Sequence, residues 1–184
     1  MILKQKILKY IQSFNYAFFN MIINLPPDDG FSNSYIRTAI ARNFGLQCGK
    51  KCLIRKHIYV EHHKNVVIGD NTLIFGQSYI DALSKVTIGN NVRIAPQLMI
   101  VTGTHERGEK KQRAGATFGK PVIIGDGCWI GARVTITSGV TIGESSIISA
   151  GSVVQRSMPP NFLIAGNPAR PISRLDQKDS PDQP

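Results

Sequence analysis

From Cys48 to Val154 an inward-type residue recurs every six positions. The series is Cys48, Ile54, Val60; Ile68, Ile74, Ile80; Ile88, Ile94, Ile100; Ile124, Ile130, Ile136; Ile142, Ile148, Val154. Twelve of these 15 positions are Ile, in a chain holding 24 Ile among 184 residues, where chance would put about two there. A repeat this regular decides the fold before any other signal. A period of six is neither helical nor simple alternation. It suits short strands joined by tight corners, three strands to a coil, each with one inward anchor. Val66, Val86, Val122 and Val140 stand two residues before the first anchors and supply a second inward place, as strand alternation requires. Gly49, Gly69, Gly89, Gly125 and Gly143 follow the first anchor of each coil, and the expectation is that they accept corner conformations a side chain resists. Stacked coils bury a continuous Ile/Val column that one coil could not. The predicted fold is all-β, a parallel β-helix of about five coils.

The beat fails only after the third anchor of a coil. Val60 to Ile68 and Ile80 to Ile88 are steps of eight, and Ile100 to Ile124 is a step of 24. In-register coils therefore stack these insertions along a single edge of a prism. The largest, with an extended edge loop over 106–121, has His105 at its foot. An interruption confined to one edge of a rigid scaffold reads as a functional surface.

Ahead of the repeat, Ile7, Ile11, Phe14, Phe18 and Ile22 fall at three-to-four spacing, which predicts an amphipathic helix ended by Pro26-Pro27. Lys9, Gln12, Asn15 and Asn20 interrupt its apolar residues, so it is neither a membrane span nor a secretory signal. Its apolar stripe is expected to pack on the chain's own body, with peripheral attachment to a membrane surface as the other reading. The organisation predicted is a helical capping segment over 1–45, the β-helix over 46–160, and a C-terminal segment and tail over 161–184.

Composition adds limits. The formal net charge is +10, from 22 basic and 12 acidic residues, which favours an anionic partner. The basic residues are scattered and no nucleic-acid-binding signature is present, so a phosphate-rich cofactor, an acidic glycan or an anionic membrane fits instead. Three cysteines, Cys48, Cys52 and Cys128, make no disulfide framework or zinc set and read as reduced, buried thiols of a cytoplasmic protein. His57, His62 and His63 read as surface residues.

The stretch "VTGTHERG…FGKPVIIGDGCWIGARVTITSGVTIGESSIISAGSVVQRSMPPNFLIAGNPAR" resembles the hexapeptide-repeat acyltransferases, within them the maltose, galactoside and nodulation-factor O-acetyltransferases. The N-terminal segment is more similar to the leader helices of acetyltransferases of capsule and lipopolysaccharide assembly. The resemblance implies a left-handed prism, a homotrimer with active sites between neighbouring copies, and acetyl transfer from acetyl-CoA to a sugar hydroxyl without a metal. It implies His105 as general base, a task that suits an imidazole with an ordinary pKa near 6.5. It assigns Trp129, Ala132, Ala150, Gln155, Arg156 and Arg170 to the cofactor, although Gln155 replaces a usual Thr and Ser173 a usual Arg. It assigns Asp81, with Phe75 or Gln77 nearby, to the acceptor. No Ser or Cys adjoins His105 in a nucleophile motif, which favours direct transfer over an acyl-enzyme. Glu106 is not assigned as its orienting partner, because strand neighbours face opposite ways.

The function expected is thus an acetyl-CoA-dependent saccharide O-acetyltransferase of surface-polysaccharide biosynthesis, cytoplasmic or at the inner face of the membrane. Alternatives are N-acetylation of an amino sugar or nucleotide-sugar, a non-catalytic glycan-binding β-helix, and a β-helical metalloenzyme. The last needs three convergent imidazoles, and the four histidines lack that spacing.

Overall fold

The computed structural model describes residues 2–27 and 32–175, with side chains over 13–27 and 34–175. Two helices, α1 (Ile2–Asn24) and α2 (Ser32–Asn43), precede a β-solenoid of parallel strands. The first face holds the strands Gln47–Cys48, Val66–Ile68, Val86–Ile88, Val122–Ile124 and Thr141–Ile142, in that order. The second face starts at Leu53–Ile54 and ends with Phe162–Gly166, and Ala169–Arg174 then folds back antiparallel on it. The third face runs from Ile58–Glu61 to Val153–Val154. The anchors pair in register, Ile68 with Ile88, Ile74 with Ile94 and Ile80 with Ile100. Every anchor from Ile54 to Val154 is at most 2% exposed, and only Cys48, at the open end, is half-buried.

The solenoid runs to about six turns rather than five. Met158 bridges to Ile142, and Ile164, fully buried, continues the column on the second face. A step of four from Val154 to Met158, in place of six, hides this last partial turn from the beat.

The glycine column has a different cause from the one expected. Left-handed backbone falls instead three residues after an anchor, at Lys51, Asn71, Asn91, Gly127, Ser145 and Asn161 on one corner and His57, Gln77, Gln97, Arg133 and Gly151 on the next. The five glycines are required by close stacking. A Cβ on Gly49 would lie 2.2 Å from Asp70 Oδ1, and one on Gly89 would lie 2.2 Å from Asp126 Oδ1. Those oxygens form a ladder. Asp70, Asn90 and Asp126 each accept the main-chain N–H one coil below, from Lys50, Asp70 and Asn90.

Helix α1 covers the open edge of the third face, but not with the stripe expected. Phe19, Asn20 and Ile23 are buried, whereas Phe14 and Phe18 are exposed and Ile22 is half-buried. Ile7 and Ile11 lie outside the residues whose side chains are described. The reason is polar. An edge strand presents unpaired N–H and C=O groups that need partners. Asn20 Oδ1 accepts from Val60 N at 2.8 Å while its Nδ2 donates to Val60 O at 3.0 Å. One turn on, Asn24 accepts from His57 N at 2.7 Å and donates to Ile58 O at 2.8 Å. Two asparagines thus stand in for a missing strand, and satisfying the edge outweighs burying two phenylalanines. Arg37 of α2, fully buried, donates to the carbonyls of Pro26 and Pro27 and ties α2 to the turn after α1.

His63 is a second correction, since it is a core residue at 2% exposure rather than a surface one. Its ring stacks on Phe19 at 4.1 Å and Nε2 lies 3.0 Å from Phe44 O. Burial lowers its pKa, keeping it neutral. Cys52 and Cys128 are buried and free, as expected.

Candidate functional site

The insertions do line one edge, where the third face turns into the first. The 24-residue step forms an antiparallel hairpin, Gly103–Arg107 against Ala114–Gly119. Its root is anchored by main-chain groups. Gly103 N donates to Asp81 Oδ2 at 2.9 Å and Leu83 N to Asp81 Oδ1 at 2.9 Å. Thr102 O accepts from Ser138 Oγ at 2.7 Å and Lys120 N at 3.1 Å. Thr102 Oγ1 closes the junction by donating to Asp81 O and accepting from Ser84 N. Asp81, expected to bind acceptor hydroxyls, therefore already holds the foot of the hairpin with both oxygens.

His105 stands on the first hairpin strand opposite Thr117 and is exposed. Its Nδ1 lies 3.1 Å from Gly115 O and 3.3 Å from Thr117 Oγ1. A carbonyl can only accept, so Nδ1 carries the proton and Nε2 keeps its lone pair. This orienting partner was missed in the sequence. Only the bulge between His105 and Arg107 brings Gly115 opposite the ring, and bulge register has no local signature.

The remaining expected residues divide among other edges. Trp129 projects from the second face at 58% exposure, paired in the ladder with Arg93 and Ile147. Ala132 and Ala150 occupy the corner between the second and third faces, where Gly151 N donates to Ala132 O at 2.8 Å. Gly131, Ala132, Ala150 and Gly151 make the upper part of that corner a strip of small residues, beside Arg133, whose Nε donates to Gln97 Oε1 at 2.7 Å. A Cβ on Gly131 would meet Ala150 N at 2.5 Å, and one on Gly151 would meet nothing within 4 Å. An extended chain-like ligand can lie flat against such a strip. Phe75 and Gln77 lie lower on the same corner. They line a cavity of about 210 Å³ with Arg55, Lys56, His57, Gly76 and Pro96. Gln77 Oε1 accepts from Gln97 Nε2 at 2.9 Å, and the Arg55 guanidinium sits over the Phe75 ring at 5.8 Å.

Gln155 and Arg156 follow the last third-face strand, on the edge that bears the hairpin, and both are exposed. Arg170 is exposed on the returning strand of the second face. Gln77 precedes strand Ser78–Asp81 and Asp81 ends it, about 13 Å away. Within one chain, then, His105 and the Trp129–Ala132–Ala150 group face different sides of the prism.

Below the hairpin, Glu61, His62 and Asp81 bring one ligand-type atom each within 4.8 Å of the others. Tyr79 donates to Glu61 Oε1 at 3.0 Å, and its ring stacks on Tyr59 at 5.5 Å between centroids. Burial, then the Glu61 carboxylate, pushes the Tyr79 hydroxyl up to about 12.

Residues 121–156 match the family model for the hexapeptide repeat of succinyl-transferase. Galactoside O-acetyltransferase of Escherichia coli (strain K12) is 33% identical over 144 residues, spanning 78% of this chain and 70% of that one. An E. coli (strain K12) acetyltransferase named for colanic acid biosynthesis is 31% identical over 133 residues, spanning 72% of this chain and 71% of its own. Among solved structures, a hexapeptide-repeat acetyltransferase from Vibrio cholerae O1 biovar eltor, complexed with acetyl coenzyme A, superposes with a TM-score of 0.80. It is 31% identical, over 91% of this chain and 88% of that one. Fold and likeness together define a β-solenoid acyltransferase. More particularly, the chain belongs to the hexapeptide-repeat acetyltransferase family.

Proposed function

We propose that this protein transfers acetyl from acetyl-CoA to a saccharide hydroxyl, with His105 as general base, in the assembly of a surface polysaccharide. The observation that carries the reading is the hydrogen bond from His105 Nδ1 to Gly115 O, which leaves Nε2 as a lone-pair acceptor on an exposed ridge. Bound acetyl-CoA supplies a thioester whose carbonyl carbon is the electrophile. Nε2 takes the proton of the attacking hydroxyl as the new C–O bond forms, and the same nitrogen returns that proton to the departing thiolate. The imidazolium between these events is stabilised by Gly115 O, which holds Nδ1–H throughout. The small-residue strip at Ala132 and Ala150, beside Trp129, suits the extended pantetheine arm, while Gln155, Arg156 and Arg170 offer exposed groups for its nucleotide end. On this reading the acceptor meets Asp81 on the hairpin edge of one copy and Phe75 and Gln77 on the other corner of its neighbour.

Because His105 and Trp129 face different sides of one prism, the reading requires each site to be shared between two copies, as in the homotrimer the family resemblance implies. The V. cholerae complex with acetyl coenzyme A and the galactoside enzyme support the donor and the sugar acceptor. The colanic acid relative supports the pathway, and a cytoplasmic setting follows from the donor. Thiol release from acetyl-CoA, assayed against neutral, acidic and amino sugars, tests it. His105→Ala should lower kcat/KM by about 10²–10⁴ with little change in the KM for acetyl-CoA. Mixed oligomers of His105→Ala and Trp129→Ala chains should recover part of the activity. A His105→Ala enzyme as fast as the wild type removes the general base from the mechanism.

A further inference from the structure

Helix α1 has two apolar faces, and the solenoid uses one. Phe14, Phe18 and Met21 of α1, and Leu25 just past its end, are 63, 41, 53 and 65% exposed. Their spacing of four, three and four residues puts them on one stripe, roughly opposite the buried Phe19 and Ile23. In the sequence the same spacing continues upstream at Ile11 and Ile7. The hydrogen bonds of Asn20 and Asn24 to the edge of the third face fix the helix's rotation, so the stripe cannot turn inward without breaking them.

We propose that this stripe docks the protein on an anionic lipid bilayer, with α1 lying in the plane of the interface. Charge identifies the occupant. Residues 1–27 contain Lys4, Lys6 and Lys9 and no Asp or Glu, in a chain of net charge +10. A second copy of α1 would bring the same positive charge to the contact. A surface of anionic headgroups over acyl chains matches both the positive charge of this segment and the apolar stripe. No described helix is long and apolar enough to cross a membrane, so the mode is surface docking. The inference stands independently of the acetyl-transfer reading.

Co-sedimentation of the full chain with vesicles tests it, using phosphatidylcholine alone and phosphatidylcholine mixed with phosphatidylglycerol. The wild type should pellet with the mixed vesicles, less with the neutral ones, and less as salt rises from ~0.05 to ~0.5 M. Phe14→Ser/Met21→Ser should bind the mixed vesicles at least about tenfold more weakly while its thermal melting stays at the wild-type value. Wild-type protein left in the supernatant with both vesicles overturns the proposal. So does a double variant that binds as well as wild type. If the wild type ignores vesicles and the double variant sediments as a smaller assembly in velocity runs, the stripe is a contact between copies and the lipid proposal fails.

Discussion

Replacing Asn20 by Ala would remove both partners of Val60 at the open edge of the third face. Asn20 is 7% exposed and Val60 is fully buried, so water has little access to take over either bond. A buried donor or acceptor left unpaired costs about 1–3 kcal/mol, and two are at stake. Partial relaxation into the space left by the amide leaves a net of ~2–3 kcal/mol. Stability in a solenoid is coupled mainly to nearest neighbours, so this energy lowers the opening cost of the first coil and not of the whole molecule. At 1.4 kcal/mol per factor of ten, amide exchange at Val60 should accelerate ~30- to 150-fold. Asn24 makes the same pattern of bonds but is half-buried, and water can replace them. Asn24→Ala should therefore accelerate exchange at His57, whose N–H it accepts, no more than about fivefold. Hydrogen exchange read by mass spectrometry over 57–61 and 129–136 decides the matter. Equal effects from the two substitutions, or loss of protection spreading to Trp129 and Ile136, would refute the edge-cap reasoning.

Two further predictions concern backbone and charge. Gly89→Ala must push a Cβ against Asp126 Oδ1 at 2.2 Å and Asp126 N at 2.8 Å, parting two coils. It should cost ~2 kcal/mol or more in chemical denaturation. Gly151→Ala, with φ +73° but nothing within 4 Å, should cost ~1 kcal/mol. The opposite order would restore conformational freedom as the reason for the glycine column. Tyr79 should ionise near 12 rather than 10.0, so its contribution to stability, full below pH 10, is lost as pH rises through about 12. Glu61→Gln should move the phenolate absorbance transition back toward 10, and an unmoved transition would leave burial as the whole cause.

The sequence by itself determined the solenoid, its core and the edge where its insertions gather. Those follow from a repeat that stacking must honour, since an anchor every six residues leaves one way to bury Ile54 to Val154 together. The place of His105, at the foot of the largest insertion, was legible from the same break in the beat. The face of α1 that meets the body was not, because Asn20 and Asn24 act through an edge strand 34–40 residues away, which no local apolar count contains. The partner of His105 was also hidden. Pairing across a bulge is set by the closed hairpin, and only there does Gly115 O come within reach of Nδ1. Likewise, spacing told where the glycines recur but not why. Their cause is the atoms of the next coil, whose distance exists only once the chain has wound.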